Sequence, residues 1–199
     1  HCVGAGEPLN PEVIETWKRA TGLVIRDGYG QTETVLVCGN HPSITPRFGS
    51  MGKPMPGIEM AIIDAEGQPL GPQQEGDIAI RVKPLRAPGL FRDYRGDPDR
   101  FNACFIGDWY LTGDRGYIDE DGYFWFVSRA DDVILSAGYR IGPFEVESAL
   151  IEHPAVAESA VVASPDALRG DVVKAFVVLA PGYTGSDALV TELQEQVKR

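Results

Sequence analysis

Residues 128–147 read SRADDVILSAGYRIGPFEVE, and the character of the chain changes within this stretch. Residues 131–136 predict a short strand. Ser136 to Gly142 is rich in small residues and reads as a loop. Pro143, well suited to a first helical position, opens a helix predicted over 143–152, with Phe144, Val146, Ala149 and Leu150 as its apolar residues. Beyond it, strands are predicted at 155–163 and 172–180. A helix follows at 186–199, with Leu189, Leu193 and Val197 on one stripe. Toward the N-terminus the pattern is β-rich: strand signals at 58–63, 76–82 and 109–111, a turn at 119–122, then the aromatic run Tyr123–Val127. A domain boundary is therefore expected at 129–132, in a chain of α+β or mixed class.

Farther upstream, Asn10 and Pro11 predict the start of a helix over 10–21 that Gly22 ends. Leu23 to Ile25 then suggest a short strand leading into Asp27-Gly28-Tyr29-Gly30. Residues 40–57 carry Pro42, Pro46, Pro54 and Pro56 with three glycines and read as loop. Asp97 and Pro98 predict a short helix over 97–104.

The 199 residues include 18 Lys and Arg against 29 Asp and Glu, a formal net charge of −11. That balance argues against sequence-independent nucleic-acid binding and against docking on anionic membranes, both of which need basic surface. Cys2, Cys38 and Cys104 form no disulfide framework, and the three histidines lack metal-ligand spacing. A reducing compartment follows. No apolar run reaches the ~20 residues needed to span a bilayer, and no targeting segment is visible. The chain begins at His1 without Met and ends within a helical pattern, which reads as a piece of something longer.

Several stretches could carry chemistry. In Asp27-Gly28-Tyr29-Gly30-Gln31-Thr32-Glu33, the glycines permit a tight turn close to a ligand and Tyr29 offers a flat face. Thr32 offers a hydroxyl and Glu33 a carboxylate suited to a hard cation such as Mg²⁺. The same residues would serve as a plain polar turn. Thr112-Gly113-Asp114, placed by a tight turn at a strand end, could direct a carboxylate at two ribose hydroxyls or form a simple Asx-turn. Arg129 could meet sugar or phosphate oxygens, or pair with Asp131 and Asp132. A narrow ligand arm could cross Gly138 beside Arg140, and Arg169-Gly170 reads as a loop tip with an exposed cation.

The order of these signals is more specific than any one of them. Gly6-Glu7-Pro8, GYGQTE at 28–33, YLTGD at 110–114, the 128–147 run, FEVESALIEHPAVAESAVV at 144–162 and RGDVVKAFVVL at 169–179 resemble the adenylate-forming (AMP-binding) superfamily. The wording is most similar to medium-chain acyl-CoA synthetases. The resemblance implies an acyl-CoA synthetase-like fold. Residues 1–48 would form the edge of the large AMP-binding subdomain and 49–130 its β-rich subdomain. Residues 131–199 would hold the hinge and most of a small C-terminal domain. It also implies ATP-dependent activation of a medium-chain or aromatic acid through an acyl-adenylate to a CoA thioester, with ATP, Mg²⁺ and CoA as cofactors. Loading of a carrier protein, or adenylate binding without turnover, are the alternatives.

By the same resemblance, Gly6, Glu7 and Pro8 would line adenine and Tyr29 would stack on it. Asp27, Gly28, Gly30 and Gln31 would complete the nucleotide loop. Thr32 would approach the α-phosphate and Glu33 would bind Mg²⁺. Asp114 and Arg129 would hold the ribose, and Asp131 would be the hinge. Ala137, Gly138, Tyr139 and Arg169 would follow CoA, and Arg140 would meet the substrate carboxylate or α-phosphate. Gly30, where acetate-specific relatives carry an aromatic, would leave room for a longer acyl group. A phosphate loop and a Pro-Lys-Thr-x-x-Gly-Lys segment, both expected of the superfamily, are absent from these 199 residues, which leaves turnover by this piece alone in doubt. Cytoplasm is the expected compartment, with the mitochondrial matrix, where animal members work, as the alternative.

Overall fold

A computed structural model describes residues 1–7 and 9–198. The chain forms two compact units, His1–Phe126 and Val127–Arg199. Among the described residues no helix is long and apolar enough to cross a membrane.

The first unit opens with β1 (Cys2–Ala5), α1 (Pro11–Thr21) and β2 (Ile25–Gln31), a crossover that sets β2 parallel to β1 with Gly4 opposite Asp27. α1 is bounded as its sequence dictates. The Asn10 side chain accepts from the Glu12 N–H at 2.8 Å, and Gly22 closes the helix in the left-handed region. β3 (Val35–Gly39) and β4 (Lys53–Pro54) complete a four-stranded sheet in the order β1-β2-β3-β4. β3 was not foreseen from the sequence. The expected strand at 23–25 lies instead at 25–31 and carries the Gly-Tyr-Gly motif, because antiparallel pairing with β3 draws those residues into the sheet.

A second sheet contains β5 (Met60–Ile63), β6 (Gly76–Arg81), β7 (Phe105–Ile106) and β8 (Trp109–Ile118) in the order β5-β6-β8-β7. β9 (Phe124–Arg129), which starts in this unit, also pairs with β8. α2 (Pro98–Ala103) is capped by Asp97, which accepts from the Arg100 N–H. Val37, Met60, Ile62, Ile78, Ile80 and Phe124 belong to the main core cluster. Transfer of such side chains from water contributes about 1.5–3 kcal/mol each.

In the second unit, β10 (Ile134–Ser136), β11 (Tyr139–Ile141), β12 (Val156–Asp166) and β13 (Gly170–Leu179) form a sheet in the order β11-β10-β13-β12. α3 (Pro143–Ile151) and α4 (Asp187–Gln196) contribute Leu150 and Leu193 to a core with Ile134, Val156 and Val161. The expected loop at 136–142 is largely the β10–β11 hairpin, with Ser136 opposite Tyr139. Its two turn residues, Ala137 and Gly138, both have positive φ (50° and 86°), the turn that best matches strand twist.

Candidate functional site

In the first unit, the predicted residues gather beyond the carboxyl ends of the parallel pair β1 and β2, where open α/β sheets place their ligands. Gly6 and Glu7 follow β1 and are exposed. Pro8 lies outside the described residues. Gln31 ends β2, and Thr32, Glu33 and Thr34 form a three-residue hairpin loop into β3, with Gln31 opposite Val35. The Thr34 N–H donates to the Gln31 carbonyl at 3.0 Å, and the Gln31 N–H donates to Thr34 Oγ1 at 2.9 Å. Thr32 is exposed and Glu33 half-buried at this tip.

Asp114 reaches the same place from the other sheet. The strand does not end at Thr112-Gly113-Asp114 as expected; β8 runs on through it. Asp77 faces Arg115 and Ala79 faces Leu111, so the motif is a bulge opposite Ile78. Gly113 absorbs the kink at φ 77°, and Thr112 Oγ1 ties it to the Ile78 carbonyl at 2.9 Å. A bulge re-aims a side chain. Here it turns Asp114 toward β2. Asp114 Oδ2 accepts from the Tyr29 hydroxyl at 2.5 Å and from Gln31 Nε2 at 2.8 Å. Gln31 Nε2 also donates to the Thr112 carbonyl at 2.8 Å. Burial, with the Asp114 charge and hydrogen bond beside it, pushes the Tyr29 phenol far up, so the hydroxyl is a permanent donor. Tyr29 is therefore anchored by its edge, half-buried against the main core, and Asp114 is nearly enclosed. Sequence reasoning found both residues but not their bond.

Asp27 departs from its expected place in a turn. It lies buried in β2, where its carboxylate accepts from the Gly28 N–H at 2.9 Å and the Leu9 N–H at 3.4 Å. Burial pushes its carboxyl up to about 6 despite those bonds. A raised carboxyl binds its proton more tightly folded than unfolded, so stability falls as pH rises from the ordinary 3.8 through about 6. Asp27→Asn should therefore stabilise the unit near pH 7 by roughly 1–3 kcal/mol and make little difference near pH 4. Thermal unfolding at both pH values checks this; a variant less stable at neutral pH would show that the charge itself is needed.

Gly30 also answers to a different constraint. A Cβ there would overlap the carbonyl oxygen of Val35 and sit 3.0 Å from Leu36 Cα. The residue is glycine because β2 and β3 approach closely at their bulge. This close approach is a constraint on the glycine beside the acyl-pocket role that the resemblance implies.

In the second unit, Ala137, Gly138 and Arg169 come together although the last two are 31 positions apart in sequence. The Ala137 N–H donates to the Arg169 carbonyl at 2.9 Å, and Ser136 pairs with Gly170. Asp166 shapes the neighbouring tip by accepting from the Leu168 and Arg169 N–H groups, both at 2.9 Å, and these bonds hold its carboxyl below the usual range. Nothing lies near the Cβ position of Gly138, and Tyr139 and Arg140 are exposed on β11. Arg129 Nε donates to Asp131 Oδ1 at 3.1 Å on the surface. Among the described residues no three His, Cys, Asp or Glu side chains cluster as a metal site. Glu33 supplies a single hard oxygen donor, which suits Mg²⁺ carried mainly by substrate phosphates.

Known proteins share this arrangement of chain. A model of the AMP-binding enzyme family matches residues 1–94, and that of the AMP-binding enzyme C-terminal domain matches residues 145–199. Mouse acyl-coenzyme A synthetase ACSM3, mitochondrial, is 61% identical over the whole of this chain, which covers 35% of it. Rat acyl-coenzyme A synthetase ACSM5, mitochondrial, is 58% identical, again with 35% covered. Among solved structures, the anthranilate CoA ligase AuaEII in complex with anthranoyl-AMP superposes with a TM-score of 0.88 at 36% identity, over 99% of this chain and 37% of that one. ATP-bound MatB from Rhodopseudomonas palustris gives 0.88 at 30% identity, over 97% and 38%. The chain thus spans about a third of the length of the relatives it matches. With both family models in order along its sequence, the chain belongs to the AMP-binding enzyme family.

Proposed function

We propose that this chain works within a longer, AMP-forming acyl-CoA synthetase acting on a medium-chain or aromatic carboxylic acid. In the first step a carboxylate oxygen attacks the α-phosphorus of MgATP, and pyrophosphate leaves. In the second, the CoA sulfur attacks the acyl carbon, its proton is lost, and AMP leaves. No enzyme nucleophile is required, so the chain's contribution is positioning and charge neutralisation. Thr32 and Glu33 would face the phosphates and their Mg²⁺, with Asp114 and Tyr29 at the nucleoside. Arg129 would reach the sugar, and Arg140 an anion of the substrate. Ala137, Gly138, Tyr139 and Arg169 would lie along CoA.

The observation that carries this reading is the convergence of the Glu33 hairpin loop and the Asp114 bulge, joined through Gln31, at the carboxyl end of a parallel strand pair. The ACSM relatives are named mitochondrial. That compartment, rather than the cytoplasm first expected, completes the reading, and fractionation of the full-length protein decides it.

Calorimetric titration with a non-hydrolysable octanoyl-adenylate analogue tests the nucleotide half of the site. Binding should weaken at least about tenfold in Asp114→Ala, which removes charge-assisted hydrogen bonds. Because that change also strands Tyr29 and Gln31, Asp114→Asn is measured beside it, with circular dichroism on both. Unchanged affinity in folded variants would remove Asp114 from the site.

A further inference from the structure

The loop between β6 and α2 yielded no motif in the sequence, yet it approaches the nucleotide-loop carboxylate directly. The Tyr94 hydroxyl donates to Glu33 Oε1 at 2.8 Å, across 61 residues of sequence. The Phe91 N–H donates to the Glu33 carbonyl at 2.7 Å, so the loop grips the backbone and side chain of the same residue. Behind these contacts stands an aromatic cluster. Phe91 packs on Tyr94, Phe101 and Tyr110 with ring centroids 4.7, 5.3 and 5.7 Å apart, and Phe105 closes the group against Phe101 and Tyr110. Such edge and tilted contacts each add about 0.5–1.5 kcal/mol beyond burial, so Tyr94 is held on a stiff support.

We propose that Tyr94 is a positioning residue for nucleotide binding, fixing Glu33 by one oxygen so that the other is presented to the Mg²⁺ that ATP carries. This rests on the reading of Glu33 given above. Among the described residues Glu33 Oε2 has no hydrogen-bond partner, so the bond from Tyr94 leaves it open for a cation. A ligating carboxylate that is itself hydrogen-bonded keeps its orientation, and loss of such outer partners costs metal affinity. The Arg100 guanidinium, 4.2 Å from the Tyr94 ring centroid, draws electron density from the ring and strengthens the donation.

The test is calorimetric titration of the chain with ATP, in Mg²⁺ and in EDTA, for the unsubstituted chain, Tyr94→Phe and Glu33→Gln. Tyr94→Phe keeps the aromatic packing and removes the hydroxyl. It should lower the gain in ATP affinity that Mg²⁺ brings by about tenfold. Metal-free binding of the octanoyl-adenylate analogue and the urea midpoint should stay close to those of the unsubstituted chain. A purely structural role would move those last two readouts instead. If Glu33→Gln abolishes the Mg²⁺ gain while Tyr94→Phe leaves it intact, the inference about Tyr94 fails and the reading of Glu33 stands. If Glu33→Gln leaves the gain intact, or the unsubstituted chain shows none, the reading of Glu33 fails and the inference falls with it.

Discussion

Asp119→Ala is expected to destabilise the first unit by about 3 kcal/mol, lowering its thermal midpoint by roughly 10 °C. Asp119 is buried, yet it is surrounded by donors. Oδ1 accepts from the Asp121 and Tyr123 N–H groups at 3.0 and 2.9 Å, and Oδ2 accepts from Trp125 Nε1 at 2.9 Å and Arg47 Nη1 at 2.5 Å. Arg47 also lies over the Tyr123 ring, and the Tyr123 hydroxyl reaches the Thr45 carbonyl at 2.6 Å. One carboxylate thus fastens the proline-rich 40–57 loop to the turn before β9. Removing it strands several donors, each at a cost of about 1–3 kcal/mol where water cannot replace the acceptor. Arg47 is more than a third exposed, so Arg47→Ala should cost much less than Asp119→Ala.

Its pH dependence has the opposite sign to that of Asp27. Burial opposes the Asp119 charge, but the bonds from Trp125, the Tyr123 N–H and Arg47 outweigh it and hold the carboxyl below its ordinary 3.8. The stabilisation is therefore present above that value and is lost only as pH falls through the lower, folded one. Urea unfolding followed by tryptophan fluorescence, to which Trp17, Trp109 and Trp125 of this unit all contribute, should show a constant gap between the two chains at neutral pH. A loss below about 1 kcal/mol would mean that water takes over the donors and that the loop is fastened elsewhere.

What the sequence disclosed and what it withheld divide along one physical line. α1 and α2 were legible because Asn10 and Asp97 cap them and Pro11 and Pro98 mark their first turns, and α4 because Leu189, Leu193 and Val197 share one stripe. Those interactions are local. β3, β11 and the two bulges were not legible, because each exists only through a partner strand. Thr112-Gly113-Asp114 looks like a turn until β6 is laid beside it with Ile78 opposite. The candidate site behaved the same way. Its residue types and order pointed to the family and named Glu33 and Asp114. Tyr94 lies in a stretch with no recognisable motif, and its contact with Glu33 exists only once the fold closes a sequence separation of 61 positions.

Gly30→Ala puts the sharpest question to the backbone of the 27–33 loop. If the glycine merely left space for an acyl group, alanine would fold normally and narrow the choice of acid, since pocket volume discriminates at only about 1–3 kcal/mol per methylene. The geometry requires more. The added methyl would overlap the Val35 carbonyl, and these are backbone atoms that no rotamer change can move aside. The strands would have to separate at the bulge where Tyr29 pairs with Cys38 and Gly30 with Leu36. A loss exceeding about 3 kcal/mol is expected, with disruption of the Tyr29–Asp114 bond that depends on this register. Val35 supplies a second lever. It is a β-branched residue at φ 58°, a conformation that costs it about 1–2 kcal/mol, and it is largely exposed. Glycine at position 35 would relieve that strain and free the carbonyl to rotate, so Gly30→Ala combined with Val35→Gly should recover part of the lost stability. Urea midpoints of the two single variants and the double variant measure the coupling directly. Full stability in Gly30→Ala alone would show that the close approach of β2 and β3 does not require the glycine.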